Sequence, residues 1–464
     1  MVFSSLVFIS IFLPVVLLTY WLLPSVTGRN VLLLAVSLLF YAYGEPVYVF
    51  LMIASSLFHY ICALWICRCR THGRTILAVV VLTNLALLCI FKYAAFLTSL
   101  INDITGLGLP VPHVALPVGI SFFTFQAMSY VIDVYRNEAA AQKNFGIVLL
   151  YISLFPQLIA GPIVKYHDVE QELVSRSCHA DEIAGGIRRW IAGLGKKVLI
   201  ADYMGVIADT LFSAPMEQIN IFAAWLGAAA YMLQIYFDFS GYSDMAIGLG
   251  HMFGFHFREN FRYPYGASSI RDFWRRWHIS LSGWFRDYLY IPLGGSRKGR
   301  ARTCVNKLIV FACTGIWHGA NITFLFWGLF HGCLLMMEEF LPFFRKETKG
   351  FRKIAAHIYV IVAVMTGFVF FRADSMSQGA GWVLKMFAGM QVDNVSMCLV
   401  RSLLTPLHLT AFAAGIVASL PVMEQAGQAK RLQKILWPCS LAVLILCMLN
   451  LAGSTYHPFI YFRF

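Results

Sequence analysis

The chain has 464 residues, 59% hydrophobic and only 13% charged, with a mean hydropathy of +0.69. Soluble domains carry about one-quarter charged residues, so this composition excludes an ordinary soluble protein and indicates a polytopic membrane protein. The net charge of +13 does not point to nucleic acid, because the Lys and Arg residues sit in short clusters between apolar runs, the positive-inside pattern of membrane topology.

The first apolar run, Leu6–Leu23, has no basic residues before it and Trp21, Pro24 and Arg29 at or beyond its end, so it reads as a retained span and not as a cleaved signal. Further spans are predicted near 30–43, 47–66, 75–92, 114–135, 145–162, 190–212, 220–238, 304–317, 321–339, 354–372, 405–421 and 435–453, and some of these will not cross. The runs are continuously apolar, which predicts helices; barrel strands would alternate with period two. Pro156, Gly161 and Pro162 predict a broken or re-entrant helix in 145–162, because irregular backbone at membrane depth has to be buried by protein or line a cavity. Basic clusters at Arg29, Arg68–Arg74, Arg136/Lys143, 258–302, Arg345–Lys353 and Lys430–Lys434 are expected on the cytoplasmic side, with both chain ends outside. The weakly charged segments 96–113 and 391–404 read as outer loops. No linker, repeat or second domain is visible, so one membrane domain over 1–464 is expected. The eleven cysteines fall mostly singly in or beside apolar segments, apart from Cys67 and Cys69, and show neither a disulfide framework nor a zinc-ligand spacing.

Ionisable groups next to apolar segments are costly and mark function, and they gather between Asp238 and His331. Gln234–Asp244 places Asp238, Tyr242 and Asp244 at the end of the 220–238 run. They either cap a helix end or line a cavity. In the next block Ser268 or Ser269 can cap a helix on which Trp274, Trp277, His278 and Leu281 recur at three- and four-residue spacing, with Arg271, Arg275 and Asp272 turned elsewhere. That segment is too polar to span and is expected in the cytoplasmic interface. Its Arg forks suit a phosphorylated donor, as do those of the Arg297–Arg302 loop, which also reads as a solvated topology signal. His318 follows in Thr314–Asn321, between two apolar runs, flanked by Gly315 and Gly319. An intramembrane His is either a packed, hydrogen-bonded group or a proton-transfer group, and the two glycines favour close approach of a ligand. His331 lies thirteen residues on, near the opposite face of one unbroken helix. His251 and His256 lack the i, i+4 pairing of helical metal sites, so no metal is predicted, and no phosphate loop or Gly-x-Ser-x-Gly elbow occurs.

The chain resembles the membrane-bound O-acyltransferase family, in its alginate O-acetyltransferase type, over nearly its full length. The resemblance rests on the opening Met1–Ser5, Arg29–Asn30, Phe40–Pro46, Leu116–Gln126, Phe155–Pro162, DFWRRWH at Asp272–His278, WFRDYLYIPLGG at Trp284–Gly295, GIWHG at Gly315–Gly319 and the closing Pro458–Phe462. It implies an all-α ring of about eleven transmembrane helices of about 20 residues each, with re-entrant and interfacial helices around a central tunnel. It also implies an inner-membrane O-acyltransferase that takes an acetyl group from a cytoplasmic thioester, acetyl-CoA, and delivers it across the membrane for O-acetylation of an extracytoplasmic polysaccharide. The family's essential His matches His318, and its second functional His matches His278. The further implied partners are a secreted SGNH-type esterase or transferase and the surrounding lipids, with no permanently bound cofactor. His318 is then the general base, or it carries a transient acetyl group. Asp272, Arg275, Arg276, Trp317, Asn321, Asp238 and Tyr242 are expected around the substrates. Rival readings are D-alanyl transfer to teichoic acid and a transporter or flippase. The latter predicts paired broken helices in two related halves, whereas the polar groups here form one block.

Overall fold

In the computed structural model the chain is helical, with no strand among the described residues, which are 3–159, 161–341, 350–390, 392–421, 430–453 and 459–460. Met1, Val2, Ala160, Arg345–Lys349, the side chains of Lys430, Arg431 and Lys434, Pro458, and the final residues 461–464 lie outside the described residues. Seven helices among the described residues are long and apolar enough to cross a membrane, and an eighth span results if Asn394–Leu403 and Pro406–Ala418, bent by 71°, count as one. The protein is thus a multi-pass membrane protein. The remaining expected spans are shorter or more polar: Phe8–Leu22 is a short apolar helix, and Arg300–His318 carries three Lys and Arg residues, Arg300, Arg302 and Lys307, in its first half.

The contacts divide the chain into two compact units, residues 1–190 with 243–258, and 191–242 with 259–464. The first unit contains α1 (Leu13–Leu22), α2 (Val26–Gly44), α3 (Tyr48–Arg68), α4 (Gly73–Leu88), α5 (Ala94–Thr105), α6 (Ile120–Arg136), α7 (Phe145–Ser153), α8 (Phe155–Leu158), α9 (Tyr166–Val174) and the first part of α10 (Ala180–Gly195). Its centre is α6, buried at every residue from Ile120 to Val134, with α3 and α4 packed on it. The predicted break is present. The backbone turns at Leu154 (ψ 112°) between α7 and α8, and the Phe155 N–H released there donates to Ser37 Oγ of α2 at 3.1 Å, so neighbouring protein satisfies the broken ladder. Arg176 ties the unit together, donating to the Tyr20 hydroxyl at 2.8 Å and to Asn30 Oδ1 at 2.6 Å.

The second unit holds the rest of α10, a π-turn at Lys196–Ala201, α11 (Asp202–Ser213), residues 221–242 of α12 (Ile221–Phe253), α13 (Ile270–Arg276), α14 (Ile279–Phe285), α15 (Arg300–His318), α16 (Ile322–Phe340), α17 (Phe351–Arg372), α18 (Met376–Ala388), α19 (Asn394–Leu403), α20 (Pro406–Ala418) and α21 (Lys430–Gly453). Its core joins Tyr231, Phe273, Trp327, Phe368 and Trp382. Trp382 stacks on Phe212 at 3.9 Å and donates its indole N–H to the Ala224 carbonyl.

Three expectations change. Asp238, Tyr242 and Asp244 lie within α12, which continues to Phe253, because the polar residues find partners on neighbouring helices and the helix need not stop to satisfy them. Segments 96–113 and 391–404 contain the helices α5 and α19, each with an amphipathic pattern that low charge alone did not reveal. The single amphipathic helix over 270–281 is two: α13 ends at Arg276, Trp277 is extended, and His278 adopts the left-handed conformation (φ 44°) before α14.

Candidate active site

The site is built on the α15/α16 hairpin. Its turn is Gly319–Ala320–Asn321, where the Asn321 side chain accepts the Thr323 N–H at 3.1 Å and donates to the Asp374 carbonyl at 3.0 Å. The helices meet backbone to backbone: a Cβ on Gly315 would stand 2.3 Å from the Phe324 carbonyl oxygen, and one on Gly328 would stand 2.2 Å from that of Phe311. This close approach puts His318, the last residue of α15 and 5% exposed, inside an aromatic enclosure. Its ring centre is 4.9 Å from Trp317, 5.1 Å from Trp327 and 5.1 Å from Phe371, each nearly edge-on.

His278 reaches the same enclosure from the α13–α14 junction. It is 1% exposed, its Nδ1 lies 3.2 Å from Asn260 Oδ1, and the same oxygen accepts the Ser280 N–H at 3.1 Å. These contacts stabilise the left-handed backbone that aims the ring inward. Burial pushes the His278 pKa down to about 3, so its imidazole is neutral at physiological pH. Its ring centre is 6.2 Å from Trp317, which therefore touches both histidines. His331, on α16, packs 5.2 Å from Trp327, the same indole that faces His318.

Two cavities are lined by residues close to His318 in the chain, although His318 itself lines neither. The first, about 250 Å³, is walled by α13, α14, α15 and the π-turn Arg286–Tyr290, and it reaches Thr314, one turn before His318. Four cationic side chains line it: Arg271, Arg275, Arg286 and Lys307. Lys307 pairs with Glu339, and Arg286 with Asp287 at 2.7 Å. The second cavity, about 310 Å³, begins at Gly319 and Asn321 and is bounded by Phe371, Arg372, Asp374 and Ile460. Arg372 is fixed there by Asp209 at 2.8 Å.

The predicted residues are only partly brought together. His318, His278 and Trp317 form one ring cluster, Arg275 lines the first cavity and Asn321 the second. Arg276 and Asp272 pair with each other at 2.9 Å and line neither cavity, and Asp238 and Tyr242 lie in α12 against Lys197 and Phe459. Sequence reasoning missed Lys307, Arg286, Trp327, Phe371 and Arg372. Lys307 carried a signal, since it interrupts an apolar run. The aromatic walls carried none, because such residues are abundant throughout the chain.

A sequence profile of the membrane-bound O-acyltransferase family matches residues 66–377. The chain is 37% identical to a "probable alginate O-acetylase" of Azotobacter vinelandii over the whole of both chains. It is 36% identical to a peptidoglycan O-acetyltransferase of Helicobacter pylori over 86% of this chain and 81% of the relative. A teichoic acid D-alanyltransferase of Bacillus subtilis is 29% identical over 50% of this chain and 61% of its own length.

Proposed function

Because the chain belongs to the membrane-bound O-acyltransferase family, we propose that it takes an acetyl group from acetyl-CoA at the cytoplasmic face of the bacterial inner membrane and passes it outward for O-acetylation of an extracytoplasmic polysaccharide. The observation that carries this reading is the enclosed His318, which follows in the chain a cavity lined by four cations and reaching Thr314, and precedes a second cavity that begins at Gly319 and Asn321 of the α15/α16 turn. The cationic cavity suits the phosphates of a CoA thioester. The second suits a hydroxyl acceptor, either the sugar itself or a serine of a secreted SGNH-type partner. His318 takes the proton of that hydroxyl as its oxygen attacks the thioester carbonyl carbon. The carbon–sulfur bond breaks, and the departing thiolate takes the proton from the imidazolium, giving an ester and a free thiol. The aromatic enclosure keeps water from competing for the acyl group. Trp317 packs on the imidazole from one side, and His278 packs against that indole. Acetyl transfer is favoured over D-alanyl transfer because the O-acetylating relatives match over most or all of the chain and the D-alanyl relative over half.

The test is His318→Ala beside His318→Gln, with polymer-bound acetate and membrane protein level measured in the same cells. Both variants should accumulate normally and lose acetylation, because Gln keeps polarity but cannot accept the proton. A merely structural histidine would leave a partner unsatisfied, lowering stability by about 1–3 kcal/mol and reducing protein and product together. Near-normal acetylation by either variant would refute the assignment.

A further inference from the structure

Outside the ring cluster, the second unit buries a charge network that the reaction itself does not use. Lys197, carried on the π-turn Lys196–Ala201, places Nζ 2.7 Å from Asp238 Oδ1 and 2.8 Å from Asp202 Oδ1, and the Lys197 and Asp238 side chains are 6% and 2% exposed. A buried ion pair contributes little net stability compared with a well-packed apolar pair, and where it is retained it can fix geometry. What this one fixes is visible at its other end. Asp238 Oδ2 accepts the backbone N–H of Ile460 at 2.7 Å, and Ile460 walls the cavity that begins at Gly319, the residue after His318. Phe459 seats beside it, 4.9 Å from Tyr242.

We propose that Lys197 and Asp238 are positioning residues for the acceptor half of the reaction, anchoring residues 459–460 as a wall of the cavity next to His318. One carboxylate oxygen is neutralised by the ammonium, and the other is left to orient a main-chain donor. The anchor therefore recognises the backbone at 460, while the Ile side chain shapes the cavity. Neither charged group touches the reacting atoms. Asp238 and Tyr242, expected on sequence grounds to meet substrate, act through this wall.

The inference rests on the acyl-transfer reading, and Ile460→Pro separates the two. It deletes the N–H that Asp238 accepts and leaves both charges in place, and Ile460→Ala, which keeps that N–H, reports the effect of the lost side chain alone. With acetyl-CoA as donor and alginate or peptidoglycan oligosaccharides as acceptors, Ile460→Pro, Asp238→Asn and Lys197→Met should each raise the acceptor KM about 10- to 100-fold and leave the donor KM within about twofold. Lys197→Arg should recover part of the loss. The same variants in a cysteine-free background carrying Ala320→Cys, a cavity-lining position, should speed maleimide labelling at 320. That readout holds whatever the protein's substrates are. Unchanged labelling in Ile460→Pro overturns the anchor even if acetyl transfer is confirmed. Faster labelling with no acetyl transfer by the unaltered protein supports the anchor and sinks the acetyl-transfer reading. Parallel loss of donor and acceptor parameters together with protein level overturns the positioning role in favour of a purely structural one.

Discussion

Arg275 and Arg276 are neighbours in sequence with opposite surroundings, and the difference yields a prediction. Arg275 lines the cationic cavity, whereas Arg276 is engaged by Asp272 four residues earlier. A charge-assisted hydrogen bond to phosphate contributes about 1.5–3 kcal/mol, so Arg275→Gln should raise the acetyl-CoA KM by about tenfold or more. Arg276→Gln should leave it nearly unchanged, because surface i, i+4 pairs contribute only about 0.3–0.5 kcal/mol. Steady-state kinetics on purified protein distinguishes them. An equal effect of the two variants would remove the cavity from the donor path. At this scale the sequence disclosed which residue types carry the chemistry, but not their directions. Of the arginines expected around a phosphorylated donor, Arg275 lines the cavity together with Arg271, one turn before it on α13, while Arg276 does not. A left-handed residue such as His278 has no sequence signature, since the Asn260 that holds it lies eighteen positions away.

Among the elements, α13 is too short to stand alone, and its start is secured from two directions. Ser269 caps it by accepting the Asp272 N–H at 3.0 Å. Glu338 of α16 adds a second cap, its two oxygens accepting the N–H groups of Ile270 at 2.5 Å and Arg271 at 3.1 Å. A carboxylate at a helix N-terminus satisfies orphan donors and complements the helix dipole. Glu338→Ala should therefore lower stability by about 0.5–2 kcal/mol and raise the donor KM as well, since α13 carries Arg271 and Arg275. Thermal melting in detergent and donor kinetics on the same preparation test both parts. A stability loss with an unchanged donor KM would show that α13 orients without its cap. The Ser269 cap was legible as a serine preceding an amphipathic run. The Glu338 cap was not, because it joins elements 68 residues apart.

For the molecule as a whole, hydropathy gave the spanning helices closely where the run was long and uninterrupted, as in Tyr48–Arg68 and Phe351–Arg372. It misjudged α12, where buried polar residues imitate a helix end, and it could not tell α6, enclosed by protein, from a lipid-facing span. Orientation is the remaining global property, and charge asymmetry predicts 258–302 inside and 96–113 outside. In a cysteine-free background, Arg297→Cys should resist an impermeant maleimide in intact cells and react after permeabilisation, while Asp103→Cys should react in both. Both native positions are exposed to solvent or interface. Labelling of position 297 from outside would invert the topology and place the cationic cavity on the wrong face for a cytoplasmic donor.

The seam between α15 and α16 decides where this enzyme can be re-engineered. With Gly315 and Gly328 pressed against opposing carbonyls, the seam has no room for an added atom, which would push the hairpin apart. Room for a bulkier acyl group has to come from the facing wall, where Phe371 on α17 and Trp274 on α13 can be shortened without touching the hairpin backbone. A library aimed at propionyl or butyryl transfer should therefore vary those two positions and leave the glycines alone.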